Sequence, residues 1–147
     1  MIRDATPADL PVIAELIRAL ADYEHLAHEV VWTEEQLAAS VFGPGAVPRV
    51  LLAEHDGEVA GMAIWFPTYS TFLGVPGIWL EDLFVRLERR GLGLGRALLD
   101  ALFERAGDGR VEWAVLDWNE PSIRFYDLLG ARPVAGWTRY RWSRHPA

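Results

Sequence analysis

The chain contains no cysteine and no lysine; all fourteen Lys+Arg positions are arginine. The first absence removes disulfides, thiolate nucleophiles, thioester acyl-enzymes and Cys-ligated metals. The second removes Schiff-base chemistry and the lysine of a P-loop. Histidine is scarce too, at His25, His28, His55 and His145. His25 and His28, spaced i, i+3, are read as surface residues rather than a ligand pair, so no metal is expected. The net charge of −7 comes without a basic stripe, which argues against a nucleic-acid partner. Asp4 and Asp9 fall where a signal peptide carries a basic and then an apolar run. The longest apolar stretch, Val59 to Phe66, is too short to span a bilayer. No membrane association is expected, and cytoplasm is the expected location.

What is present fits one globular domain over residues 1–147. Hydrophobic residues make up 51% and charged residues 24%, an ordinary soluble balance. The charge is uneven. Residues 4–35 carry eight acids, whereas the chain beyond Asp127 has four arginines and no acid. This asymmetry suits either solvated faces or an acidic mouth for a cationic substrate beside a basic wall for an anionic ligand.

Periodicity predicts an α/β chain. Ile2–Ala5 reads as a strand. Thr6-Pro7-Ala8-Asp9 starts a helix bearing Leu10, Ile13, Ile17 and Leu20. Thr33 to Gln36 starts a second helix, ending near Gly43. Val50–Glu54 runs into the hairpin signal Asp56-Gly57. Val59–Phe66 reads as a central strand ended by Pro67, with Tyr69–Gly74 a loop and Ile78–Val85 the next strand. A helix follows Gly95. Arg110–Leu116 reads as a strand, Pro121–Leu129 as a helix stopped by Gly130, and Trp137–Trp142 as a last strand.

The turn between the Ile78–Val85 strand and the next helix reads Arg90-Gly91-Leu92-Gly93-Leu94-Gly95-Arg96. Such a turn aims backbone N–H groups at an anion, with the helix N-terminus and flanking arginines assisting. A phosphate or pyrophosphate is implied. Neither register satisfies a dinucleotide fingerprint: the sixth position from Gly91 is Arg96, and from Gly93 it is Leu98.

This loop resembles the pyrophosphate loop R/Q-x-x-G-x-G/A of the GNAT superfamily of acetyltransferases. The likeness covers nearly the whole chain. It includes Leu80-Glu81-Asp82-Leu83-Phe84-Val85, Leu116-Asp117-Trp118-Asn119-Glu120-Pro121-Ser122, Phe125-Tyr126 and Leu129-Gly130-Ala131. Tyr23-Glu24, Thr33-Glu34-Glu35 and Tyr69-Ser70-Thr71-Phe72 are similar to the spermidine/spermine and thialysine acetyltransferase branch. The resemblance implies a mixed, mostly antiparallel sheet of six to seven strands flanked by about four helices. It implies acetyl-CoA as co-substrate, held by the backbone of Leu83, Phe84 and Val85, by Arg90 through Arg96, and by Asn119, Ser122 and Tyr126. It also implies a homodimer, with the C-terminal strand region near the contact.

Acetyl transfer to an amine needs a neutral nucleophile. An amine of pKa ~10.4 costs about 4.6 kcal/mol to neutralise at pH 7, so a carboxylate base is useful. Glu81 and Asp82 interrupt an apolar strand, and on a regular strand they face opposite sides. The resemblance favours Glu81 as base or amine contact. It favours Tyr126 as the acid that protonates the leaving thiolate, and Tyr23, Glu24, Asp82, Glu112 and Trp113 as lining the amine site. Asn119 also suits a helix cap. Ala135 stands where polyamine enzymes of the branch carry an acid, so a small diamine or an amino acid with a side-chain amine is the expected acceptor. Two other readings stand beside this one: a non-catalytic CoA-binding module, and an enzyme acting on a protein N-terminus or lysine.

Overall fold

The computed structural model describes residues 1–145. They divide into a first compact unit, Met1–Ala114, and a second from Val115 onward. The first unit contains β1 (Ile2–Asp4), α1 (Leu10–Tyr23), α2 (Glu34–Phe42), β2 (Arg49–His55), β3 (Glu58–Ser70), β4 (Val75–Val85), α3 (Leu94–Ala106) and β5 (Val111–Glu112). The second unit contains α4 (Glu120–Leu128).

The sheet order is β1-β2-β3-β4-β5, antiparallel except for the parallel pair β4–β5. Alternation divides its side chains between two layers. Val50, Leu52, Met62, Ile64 and Phe84 form one core with Ile13, Leu16 and Leu20 of α1, and Leu37 and Val41 of α2 pack against it. The alternate residues Leu51, Ala53, Ala63 and Trp65 are buried on the opposite face, against which α3 packs with Leu98, Leu99 and Leu102. Truncating any of these three leucines to alanine costs about 2–5 kcal/mol.

The start of α1 follows its sequence signal, with one addition. Pro7–Asp9 forms a short 3-10 turn before the helix, and the Thr6 N–H donates to Asp9 Oδ2 at 2.7 Å. Arg3 ties this corner to the sheet, donating to both Asp9 oxygens at 2.8 and 2.9 Å and to Glu54 Oε1 at 2.6 Å. Thr33 caps α2 by accepting from Gln36 N–H at 3.2 Å. Asp56 and Gly57 take φ values of 53° and 77°, as a tight hairpin requires.

Three expectations change. Pro67 does not end β3, which runs on to Ser70, and the predicted loop from Tyr69 forms the end of a long hairpin with β4. The first residue of β2, Arg49, pairs with Trp65, so beyond Trp65 β3 is an edge strand where a proline removes no ladder bond. The predicted strand Arg110–Leu116 shrinks to Val111–Glu112, because β5 meets β4 only at Ile78 and Trp79. No strand forms over 137–142 among the described residues. Trp137, Tyr140 and Trp142 are instead 79%, 90% and 81% exposed, and no strand of the sheet lies beside them among the described residues. Among the described residues the sheet therefore has five strands rather than six to seven, with the four α-helices expected.

Candidate active site

Where β4 leaves β5, one edge of the sheet opens. Beyond Trp79, β4 keeps β3 on one side and has no strand on the other among the described residues. The Arg86 N–H donates to Ala60 O at 2.8 Å, so Arg86 and, by alternation, Phe84 direct their main-chain groups toward β3. Leu83 and Val85 direct theirs to the open edge. An extended ligand bearing amides can add there as a strand would. Phe84 contributes a buried side chain to the core instead.

The glycine loop lies at the end of this edge. Gly91 and Gly93 take φ of 78° and 79°, a region that favours glycine. A Cβ at either would meet nothing within 4 Å, so backbone conformation, not space, selects the residue. Gly93 precedes α3, whose first turn no side chain caps. Its leading N–H groups lack intrahelical acceptors, and the helix dipole adds positive potential. Leu94 is buried and anchors the turn, whereas Leu92 is exposed. Arg96 forks onto Asp100 at 2.8 and 3.0 Å. Arg90 donates from Nε to Val85 O at 3.1 Å and lies 4.7 Å over the Tyr23 ring and 5.6 Å over Phe84. The open edge and the uncapped, glycine-led helix start fit an amide-bearing arm ending in a pyrophosphate.

A bulge sets the acids. The β3–β4 register passes from Ile64↔Asp82 to Trp65↔Leu80, leaving Glu81 as the extra residue of β4. The extra residue inverts the alternation. Ile78 and Leu80 share the α3 face with Trp65, while Asp82 and Phe84 share the α1 face with Ile64. Glu81 is exposed and accepts from Trp79 Nε1 at 2.8 Å. Asp82 is pushed up to about 7, first by burial and then by the like charges of Glu81 and Glu24. Burial also raises the Glu24 carboxyl. His25, at φ 60°, turns the chain just after Glu24 at the end of α1. The first unit thus brings together Tyr23, Glu24, Glu81 and Asp82, with Glu112 on β5 in register with Trp79 and Trp113 next to it in the chain. Trp79 escapes the sequence reading; its signal is the i, i+2 spacing to Glu81 on one strand.

In the second unit, Asn119 is 6% exposed and caps α4, accepting from Ser122 N–H at 3.4 Å. Tyr126 lies one turn further along, its ring 5.6 Å from that of Phe125 and tilted by 51°. Gly130, at φ 89°, stops the helix as expected. No cluster of metal-ligating side chains occurs among the described residues.

This pairing of an open β4 edge with a glycine-led helix start belongs to an acyl-CoA-binding class of α/β fold. The family model described as "Acetyltransferase (GNAT) family" matches residues 14–131, and the chain belongs to that family. It is an acetyl-CoA-dependent N-acetyltransferase. It is 34% identical to the L-ornithine N5-acetyltransferase NATA1 of Arabidopsis thaliana, over 92% of this chain and 81% of that protein. It is 37% identical to the thialysine N-epsilon-acetyltransferase of Bos taurus, over 97% and 92%. An integron cassette protein from V. cholerae shares the fold with a TM-score of 0.79 at 22% identity, over 97% of this chain and 91% of that one. No helix among the described residues is long and apolar enough to cross a membrane.

Proposed function

We propose that the protein acetylates the primary amine of a small molecule, a diamine, polyamine or an amino acid of the ornithine, lysine or thialysine type, by direct attack within a ternary complex. The observation that carries this reading is the carboxylate group Glu24, Glu81 and Asp82 beside the open edge of β4, with Asp82 raised to about 7. A group with that affinity takes a proton from an incoming ammonium near neutrality, which a carboxylate at its ordinary value does poorly. Asp82, directly or with Glu81 through water, acts as base, and Glu24 and Glu81 attract the cation. The names of the ornithine and thialysine relatives support the acceptor class.

Acetyl-CoA supplies the activated acyl group. Leu83 and Val85 hold its pantetheine arm by main-chain groups. Gly91 to Gly95 hold the pyrophosphate, with Arg90 and Arg96 as the nearby cations and Asn119 and Ser122 as further contacts. Tyr126 gives the departing thiolate its proton. The lack of cysteine supports direct transfer over a thioester acyl-enzyme. Residues 1–147 act as one domain, a reading supported by a family match that spans both units. The exposed Trp137, Tyr140 and Trp142 support pairing into a homodimer, since tryptophan and tyrosine are enriched at such contacts.

The test is acetyl-CoA turnover, read as released thiol, with ornithine, lysine, thialysine, putrescine, spermidine and a lysine-bearing peptide. Saturable turnover with a small amine and sequential initial-rate patterns are expected. Acetyl-CoA binding without turnover on any amine would leave a CoA-binding module. Turnover on the peptide alone would move the acceptor to proteins.

A further inference from the structure

The first unit has a cavity of about 410 Å³ that shares no residue with the site above. Asp4 of β1, Arg49 at the start of β2, Trp65 and Pro67 of β3, Ile78 of β4 and Arg105 near the end of α3 line it. We propose that this cavity binds a small organic carboxylate with an apolar, aromatic body.

The charges decide the sign of the ligand. Asp4 and Arg105 meet at 3.3 Å and cancel. Arg49 is exposed, and among the described residues its guanidinium makes no hydrogen bond or ion pair. Its guanidinium lies over the Trp65 ring at 5.2 Å. Stacking engages the face of a guanidinium and leaves its N–H edge available, the geometry that matches a carboxylate fork.

A second donor lies beside the first. Trp65 is 5% exposed, and its indole Nε1 is buried with no hydrogen-bond partner. An indole N–H donates only, and when buried it ordinarily finds an acceptor. Arg49 lies over the face of the Trp65 ring and Trp65 itself lines the cavity, so a ligand that forks onto the guanidinium sits against this indole. One uncompensated positive charge beside a buried indole N–H without a partner suits a monoanion rather than a cation. An amine would meet Arg49, and inorganic phosphate has no apolar body to set against the Pro67 and Ile78 walls. Pro67 and Ile78 give the walls an apolar character, and the volume falls in the range of small-molecule sites.

Phenylacetate is a suitable probe, with its neutral amide phenylacetamide and inorganic phosphate as controls. The full ¹⁵N-labelled chain is titrated at pH 7 and the indole N–H resonances are followed, Trp65 being assigned through its backbone. Phenylacetate is expected to shift the Trp65 resonance saturably, with or without saturating CoA. The two controls are expected to leave it in place. Arg49→Gln changes an exposed side chain, and about tenfold weaker binding is expected, the loss of one charge-assisted hydrogen bond. Arg49→Lys, which keeps the charge but lacks the fork, is expected to fall between. The proposal is overturned by no saturable shift with phenylacetate, by equal shifts with phenylacetamide or phosphate, by indifference to Arg49→Gln, or by displacement with CoA.

Discussion

Asp82 stands opposite Ile64 in the β3–β4 ladder, an acid set against an aliphatic residue of the α1-side core. The extra residue Glu81 puts it there, because without the bulge Asp82 would share a face with Leu80. A carboxyl so placed ionises near neutrality rather than near its usual 3.8.

For catalysis, this predicts an acid limb in kcat/KM with an apparent pKa near 7, since the base works when ionised. Asp82→Asn is expected to lower kcat/KM by about 10²–10⁴ and to abolish the limb. Glu81→Gln is expected to lower kcat/KM less and to keep the limb. A limb unchanged in Asp82→Asn would reassign the base.

For stability, the sign is fixed by the upward shift. The raised carboxyl burdens the fold least below about pH 4, where it is protonated folded and unfolded, and stability is lost as pH rises through 7. Asp82→Asn is therefore expected to be more stable than the parent at pH 8, by about 2–4 kcal/mol, with the gain shrinking toward pH 4. Urea midpoints for both proteins at pH 4, 6 and 8 test this.

Gly93→Ala separates conformation from space. Nothing lies within 4 Å of the new Cβ, yet φ of 79° must be kept. The cost is about 1–2 kcal/mol, met by strain or by a shifted loop. The KM for acetyl-CoA is expected to rise roughly tenfold, with kcat at saturation little changed.

Arg90 and Arg96 are expected to differ. The Arg90 guanidinium is shared between Val85 O and the Tyr23 ring, so Arg90→Ala raises the KM of both acetyl-CoA and the amine. Arg96 faces Asp100, so Arg96→Ala raises that of acetyl-CoA alone. Initial-rate grids for the two variants distinguish these patterns.

Tyr126→Phe tests the proton donor. It keeps the ring that lies 5.6 Å from Phe125, so fold and binding persist. At saturating substrates kcat is expected to fall about 10²–10⁴. An unchanged kcat would remove Tyr126 from the acid role.

Local signals made much of this readable in advance. Thr6, Pro7 and Asp9, Thr33 and Gln36, Asp56 and Gly57, and Gly130 each act within a few residues, and each appears where its chemistry predicts. The glycine loop is local in the same sense. What escaped depends on partners distant in the chain. Pro67 lies within β3 because β2 begins opposite Trp65. The strand read over 110–116 is short because β4 is in register with it at two residues only. The stretch 137–142 has a strand's aromatic composition, but among the described residues it has no neighbour to pair with. In the site, the residue types were legible at Glu81 and Asp82, but the exposure of one and the burial of the other were not. A bulge is a mismatch between two strands and leaves no mark in either one alone.

The β3–β4 hairpin outgrows the sheet that supports it. From Thr68 to Gly77 the two strands pair, among the described residues, only with each other, and Tyr69 and Phe72 near the tip are 65% and 90% exposed. An isolated two-stranded ribbon is marginal in water. This arm can therefore melt and re-form while the five-stranded sheet stays whole, so its amides exchange with solvent by local opening, ahead of those of Met62 and Phe84 in the same two strands.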